Sequence, residues 1–187
     1  MTTPKIKEVN NALYSTTLVI GASRLRQITW YFVNILFFKG SWNVFSSVKV
    51  ALLRLFGAKI GEGVVIKPAV NIKFPWKLRI GDHSWIGEEV WIDNLSDLTI
   101  GRSVTLSQGC LLLTGNHDYG KETFDFMTAP IVLEDGAWIC ARSIVLGGVT
   151  CRSHSILTVN SVAGKDLEPY TIYKGNPAIP IKQRIIT

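Results

Sequence analysis

The residues of this chain best suited to moving a proton near neutral pH are its three histidines, His83, His117 and His154. An imidazole with an ordinary pKa of about 6.5 is largely neutral at pH 7 and can accept a proton. His117 lies in the stretch TGNHDYGKETFDFMTAP, residues 114–130, whose Asn, Asp and Gly residues favour turns. A single loop histidine is usually a solvated polar residue rather than a base, and three histidines are also enough for a catalytic zinc. The cysteines Cys110, Cys140 and Cys151 show no CxxC spacing and cannot all pair with one another, so they read as small buried hydrophobes. P-loop, GxGxxG, Ser-His-Asp and zinc-finger patterns are absent.

What must position these residues is a repeat of six. From Ile60 onward an aliphatic residue recurs in step: Ile60, Ile66, Ile72; Ile80, Ile86, Ile92; Ile100, Leu106, Leu112; then Leu133, Ile139, Val145, Cys151, Leu157 and Ala163. Four positions after each, small or β-branched residues such as Val70, Ser84, Val104, Cys110 and Ser143 are common. Neither a helical period nor strict alternation gives this beat. Hexads are a β-helix period, in which each unit supplies a short strand and a turn and buries its aliphatic residue only by stacking on its neighbours. Three hexads close one triangular coil, so Ile60, Ile80, Ile100, Leu133 and Cys151 begin five coils. Between Leu112 and Leu133 the chain runs 21 residues where one hexad needs 6. The excess is a loop leaving the side of the solenoid, over residues 113–131, and loops of such length in compact domains are usually functional or disordered.

At 187 residues and 47% hydrophobic, the chain can bury one main core. The expected divisions are a basic, apolar N-terminal helical segment (1–57), an all-β solenoid (58–168) and a polar tail (169–187). The net charge is +6, but it is concentrated: through Lys59 there are eight basic residues, Lys5, Lys7, Arg24, Arg26, Lys39, Lys49, Arg54 and Lys59, against Glu8 alone. The remainder is near neutral. A basic leader on a neutral body fits an anionic surface better than a groove for nucleic acid, and no nucleic-acid partner is expected. ITWYFVNILFF, residues 28–38, is too short to span a bilayer. Ser41 is expected to cap a helix with Trp42, Phe45, Val48, Leu52 and Phe56 on one face, ended by Gly57. Two helices would then cap the open end of the solenoid, and Trp30, Tyr31, Phe37 and Phe38 with Arg24, Arg26 and Lys39 would add an interfacial membrane contact.

The hexads, the histidine-bearing loop, AWICARSIVLGGVT and YKGNPAIPIKQR together resemble the left-handed β-helix, or hexapeptide-repeat, acyltransferases. More specifically, LLRLFGAKIGEGVVIKP, VWIDNL and TGNHDYGKETFDFMTAPIVLEDGAWI resemble the colanic-acid-type exopolysaccharide O-acetyltransferases, over residues 52–184. The resemblance implies a left-handed parallel β-helix and a homotrimer. It further implies acetyl-CoA as acetyl donor in a cleft between neighbouring solenoids, and a loop reaching the adjacent subunit. His117 matches the family's catalytic histidine. A sugar hydroxyl is a poor nucleophile at neutral pH while a thioester is already activated, so the component still needed is a base, and direct transfer requires no acyl-enzyme. Asp93 and Asn94 match a segment lining the acceptor pocket, and also suit a corner turn; Asp118 and Tyr119 are further acceptor-side candidates. Trp138 matches a residue along the cofactor cleft, and Ala141 and Val159 match positions where backbone meets the pantetheine arm. Many relatives have a glycine-alanine-glycine-serine run where this chain reads LTVNSV. Lys165, Lys182 and Arg184 are candidates for the CoA phosphates.

The expected function is therefore an acetyl-CoA-dependent O-acetyltransferase acting on a sugar hydroxyl of an exopolysaccharide or its lipid-linked precursor. Its expected place is the cytoplasm, at the inner face of the membrane, with no metal required. Three readings compete with it. The acceptor would be instead an antibiotic, an amino sugar or a serine; or the chain would be a zinc enzyme like the γ-class carbonic anhydrases, although their second loop histidine corresponds to Glu122 here; or it would be a non-catalytic scaffold.

Overall fold

Each hexad places its aliphatic residue on a strand of two or three residues, and successive coils stack these strands into three parallel sheets. The computed structural model describes residues 7–187, so Lys5 of the basic leader lies outside the described residues. The first sheet is Lys59–Ile60, Leu78–Ile80, Leu98–Ile100, Ile131–Leu133 and Thr150–Cys151. The second is Val65–Ile66, Trp85–Ile86, Thr105–Leu106, Trp138–Ile139 and Ile156–Leu157, continued by Thr171–Lys174. The third is Asn71–Ile72, Trp91–Asp93, Leu111–Leu113, Ile144–Leu146 and Val162–Ala163. Register is exact where it matters: Ile66 pairs with Ile86, Ile86 with Leu106, and Ile139 with both Leu106 and Leu157, all fully buried. Burying each such side chain contributes about 1.5–3 kcal/mol.

The corners use the left-handed backbone region. His83, Ser103, Gly136 and His154 lie there with φ between 53° and 70°, at one position in successive coils. A Cβ added to Gly63 would run into the His83 ring, and one added to Gly136 would meet the His154 ring at 2.6 Å. Each histidine therefore lies over a glycine of the preceding coil.

Three expectations are corrected here. The solenoid has about six turns rather than five. Residues 169–187 are not a tail beyond it: Thr171–Lys174 stacks in parallel on Ile156–Leu157, and Ile179–Gln183 folds back on it antiparallel. The second helix starts late and faces another way. Helix α1 is Arg24–Val33, running on as a π-helix over Asn34–Lys39, and helix α2 is Ser46–Leu55. Trp42 and Phe45 precede α2 and are exposed, as is Val48, whereas Lys49, Leu53 and Phe56 are buried.

The reason is the open edge of the first coil, whose backbone groups have no coil beyond them to pair with. Each sheet is served separately. Arg54 donates to the carbonyls of Ile60 and Gly61 on the first. On the second, Ser46 Oγ accepts from Ile66 N and donates to its O, while Lys49 Nζ donates to Ile66 O and Lys67 O. On the third, Trp30 Nε1 donates to Ile72 O at 2.9 Å and Asn34 Oδ1 accepts from Ile72 N. Polar edge groups thus select the inward face of both helices, which a count of apolar residues does not reveal.

Candidate active site

The long insertion is a hairpin arm. Gly115–His117 pairs antiparallel with Phe126–Thr128, with His117 opposite Phe126. Its root is tied to the third sheet, because Thr114 Oγ1 donates to Asp93 O at 2.9 Å and Ala129 N to Thr114 O at 3.0 Å. Its tip is set by turn chemistry: Asp118 Oδ1 accepts from Gly120 N at 3.0 Å, and Lys121 Nζ lies 3.1 Å from Asp125 and 3.9 Å from Asp118. The Asp118 carboxylate is therefore engaged within the turn. Tyr119 stands at the tip, 86% exposed.

His117 closes the first strand of the arm. Its Nδ1 lies 3.0 Å from the carbonyl oxygen of Phe124. A carbonyl can only accept, so Nδ1 carries the proton, and in the neutral ring Nε2 is left with a lone pair. Phe124 stacks on the imidazole with centroids 4.4 Å apart and planes 8° from parallel, and Phe126 meets it edge-on at 5.1 Å. Tyr14 stands 6.0 Å away on a further side. The segment bearing Tyr14 is fixed along the arm and the coil: Asn10 N donates to Glu122 O at 2.8 Å, Lys77 Nζ to Val19 O and Trp76 Nε1 to Ile20 O. Sequence reasoning missed Tyr14, which belongs to no motif and reaches His117 only through tertiary packing.

Asp93 and Asn94 part company. Asn94 is fully buried, accepting from Phe74 N at 3.0 Å and donating to Phe74 O at 2.7 Å, so its amide clamps a corner and is unavailable to an acceptor. Asp93 lies at the end of Trp91–Asp93, beside the root of the arm, with Oδ1 buried and lacking a hydrogen-bond partner. The Lys73 ammonium is 4.0 Å away. Burial pushes the Asp93 carboxyl above the usual carboxylate range, and Lys73 opposes that rise only in part. An orphaned buried carboxylate oxygen calls for an explanation, and a group that binds at this point supplies one.

On the second sheet a groove of about 680 Å³ is lined by four of the expected cofactor residues, Trp138, Ala141, Val159 and Lys182. Trp138 is pinned by its indole N–H, which donates to Ser107 Oγ at 2.9 Å. Ile156, Ile172 and Ile181 give the groove an apolar lining, and Lys174 adds a second ammonium that sequence reasoning missed. Cys140 also lines it; burial raises its thiol, which is therefore protonated at neutral pH and a poor nucleophile. Arg184 is elsewhere: its guanidinium donates to the carbonyls of Gly136 and His154, at 2.9 and 3.1 Å, and fastens the last strand across two coils. Lys165 is exposed and not part of the groove lining.

The other two histidines are corner residues. His154 stacks on Tyr170 at 4.7 Å and 3°, with its Nδ1 2.6 Å from Ser153 Oγ. Both line a shallow corner with Asp82, Arg102 and Asp135, away from the arm. Among the described residues no three His, Cys, Asp or Glu side chains converge to hold a metal ion.

No protein-family model matches the chain. Over 167 residues it is 36% identical to a protein of Escherichia coli (strain K12) named as a colanic acid biosynthesis acetyltransferase, WcaF, covering 89% of this chain and 92% of that one. A hexapeptide-repeat acetyltransferase of Vibrio cholerae, solved in complex with acetyl coenzyme A, has a TM-score of 0.78 at 24% identity, covering 89% of this chain and 92% of that one. A maltose O-acetyltransferase of Clostridium difficile has a TM-score of 0.77 at 19% identity, covering 88% and 90%. The two structures share the solenoid. The chain thus belongs to the hexapeptide-repeat acetyltransferases, together with the colanic acid biosynthesis acetyltransferase.

Proposed function

We propose that this chain transfers an acetyl group from acetyl-CoA directly to a hydroxyl of a carbohydrate destined for an exopolysaccharide, with Nε2 of His117 as general base. The observation that carries the reading is the bond from His117 Nδ1 to Phe124 O, which leaves Nε2 as the lone-pair nitrogen of a ring braced by aromatic side chains. In the step proposed, the acceptor oxygen attacks the thioester carbonyl carbon as Nε2 takes its proton. The tetrahedral intermediate then loses the sulfur, and His117 returns the proton to the departing thiolate. A positioned base of this kind contributes about 10² to 10⁴ in rate.

The groove on the second sheet fits the donor. Its apolar lining suits the pantetheine arm, and Lys174 and Lys182 are cations for phosphate oxygens. Asp93 is our candidate for binding an acceptor hydroxyl, with Tyr14 and Tyr119 as aromatic surfaces for its ring. A homotrimer fits the outward residues. The first sheet presents Lys59, Arg79 and Thr99, whereas the second presents Trp85 and Trp138 and the third Trp91, Leu111 and Ile144. Two apolar faces on one prism suit contacts with two neighbours, and the arm leaves from the third sheet while the groove lies on the second. We place the reaction in the cytoplasm at the inner face of a membrane, touched by the N-terminal helices.

The test is calorimetric titration with acetyl-CoA, followed by release of free CoA thiol in the presence of cell-envelope glycans. Saturable binding at one site per chain with glycan-dependent thiol release supports the reading. A folded protein that neither binds acetyl-CoA nor releases thiol contradicts it.

A further inference from the structure

Helix α1 and its π-helical continuation are apolar on two faces, one packed on the core through Trp30, Val33, Phe37 and Phe38 and the other exposed. The inward residues Trp30 and Asn34 engage the coil edge through polar atoms. The outward face carries Leu25, Ile28, Phe32, Ile35 and Leu36, each 39% to 76% exposed. Their spacing places them on one helical stripe. A surface helix of a globular protein ordinarily turns such a stripe towards the core. The contact expected from the sequence is corrected in detail: Trp30 and Phe38 are buried, and Arg26 donates to Phe56 O and lies over the Trp76 ring.

We infer that this stripe is a docking surface for an anionic lipid bilayer, on which α1 lies flat with its apolar side chains at the boundary between headgroups and acyl chains. Charge selects the occupant. Arg24 and Lys39 stand exposed at the two ends of the stripe, and no carboxylate occurs between Glu8 and Glu62. Two copies pressed together through this face would bring like charges together, whereas anionic headgroups meet them with opposite charge. Trp42 adds an exposed indole at the far end of the stripe, held by its N–H on Leu36 O at 2.7 Å. Leu25 to Leu36 covers roughly 17 Å at about 1.5 Å per residue, well short of a bilayer's roughly 30 Å of hydrocarbon, so the stripe lies on the surface. Among the described residues no helix is long and apolar enough to cross. The inference deepens the proposed setting of the reaction, by naming the surface that would hold the enzyme near a lipid-linked acceptor.

The test is co-sedimentation of the full chain with vesicles of phosphatidylglycerol and phosphatidylcholine, and with phosphatidylcholine alone. The wild-type protein is expected to bind the anionic vesicles, more weakly at high salt. A double variant, Phe32→Ser with Leu36→Ser, is expected to bind at least about tenfold more weakly, from the lost apolar contact. Its oligomeric mass and its transfer to a soluble glycan should be unchanged. Wild-type protein that transfers acetyl but stays with the supernatant overturns this inference alone. A double variant that drops to a smaller oligomer also overturns it, since the stripe would then be packing on a second copy. Vesicle binding without transfer would contradict the proposed reaction and leave the docking surface standing.

Discussion

The carbonyl of Phe124 accepts from Nδ1 of His117 at 3.0 Å while the Phe124 ring stacks on the same imidazole at 4.4 Å. One residue thereby sets both the tautomer and the plane of the proposed base. Phe124 does so from φ 49°, in the left-handed region that an L residue rarely occupies.

Replacing that residue separates its two roles. Phe124→Gly keeps the carbonyl and relieves the backbone but removes the ring. The variant should fold and bind acetyl-CoA as the wild type does, with kcat lower by roughly 10- to 100-fold because the base is no longer held in place. Steady-state kinetics decide it, and an unchanged kcat would show that stacking has no part in positioning His117.

Asp93 gives a pH-dependent prediction. Its folded pKa is raised by burial, so ionising it costs stability. The cost is absent below the unfolded value of 3.8, grows as pH rises from there, and is complete once pH has passed the raised folded value. Asp93→Asn should therefore raise Tm at pH 7, by about 2–4 °C for each kcal/mol recovered, and leave it unchanged near pH 3. The same variant should raise the KM for the carbohydrate. A lower Tm at pH 7 would mean that the Lys73 pairing outweighs burial.

The two kinds of C-terminal cation should behave oppositely. Lys174→Ala with Lys182→Ala should raise the KM for acetyl-CoA by about tenfold and weaken its dependence on salt. Arg184→Ala should leave that KM alone and destabilise the fold by about 1–3 kcal/mol for each carbonyl left unpaired at Gly136 and His154. Kinetics and thermal melts on the two variants distinguish these roles, and a raised KM in Arg184→Ala would contradict the assignment.

Tyr14 is assigned to the acceptor. Tyr14→Ala should raise the KM for the carbohydrate roughly 3- to 10-fold, the range of a single aromatic contact, with Tyr14→Phe near wild type. The KM for acetyl-CoA should not move. An effect on acetyl-CoA instead would place Tyr14 on the donor side.

The solenoid was legible because every coil repeats one requirement, an inward aliphatic residue each six positions, and the arm was legible as the place where that requirement lapses. The groove on the second sheet was partly legible through Trp138, Ala141, Val159 and Lys182, which line it together. Asn94 and Arg184 were misassigned because their types suit both ligands and backbone carbonyls, and only the neighbouring coil decides which they meet. Lys174 and the sixth turn were hidden for a related reason: Thr171–Lys174 keeps the stacking after the hexad beat has faded. Tyr14 was beyond reach, since its nearness to His117 depends on how residues 10–20 dock along the arm. The helix faces were misread because Ser46, Lys49 and Asn34 point inward to satisfy an open sheet edge, against the usual rule that polar residues face water.

The most direct test of the account compares wild-type protein with His117→Ala, measuring acetyl-CoA binding by calorimetry and acetyl transfer by glycan-dependent release of free CoA thiol. The account predicts equal binding in both proteins and transfer reduced at least about 100-fold in the variant. A folded His117→Ala protein that transfers acetyl at the wild-type rate would contradict it.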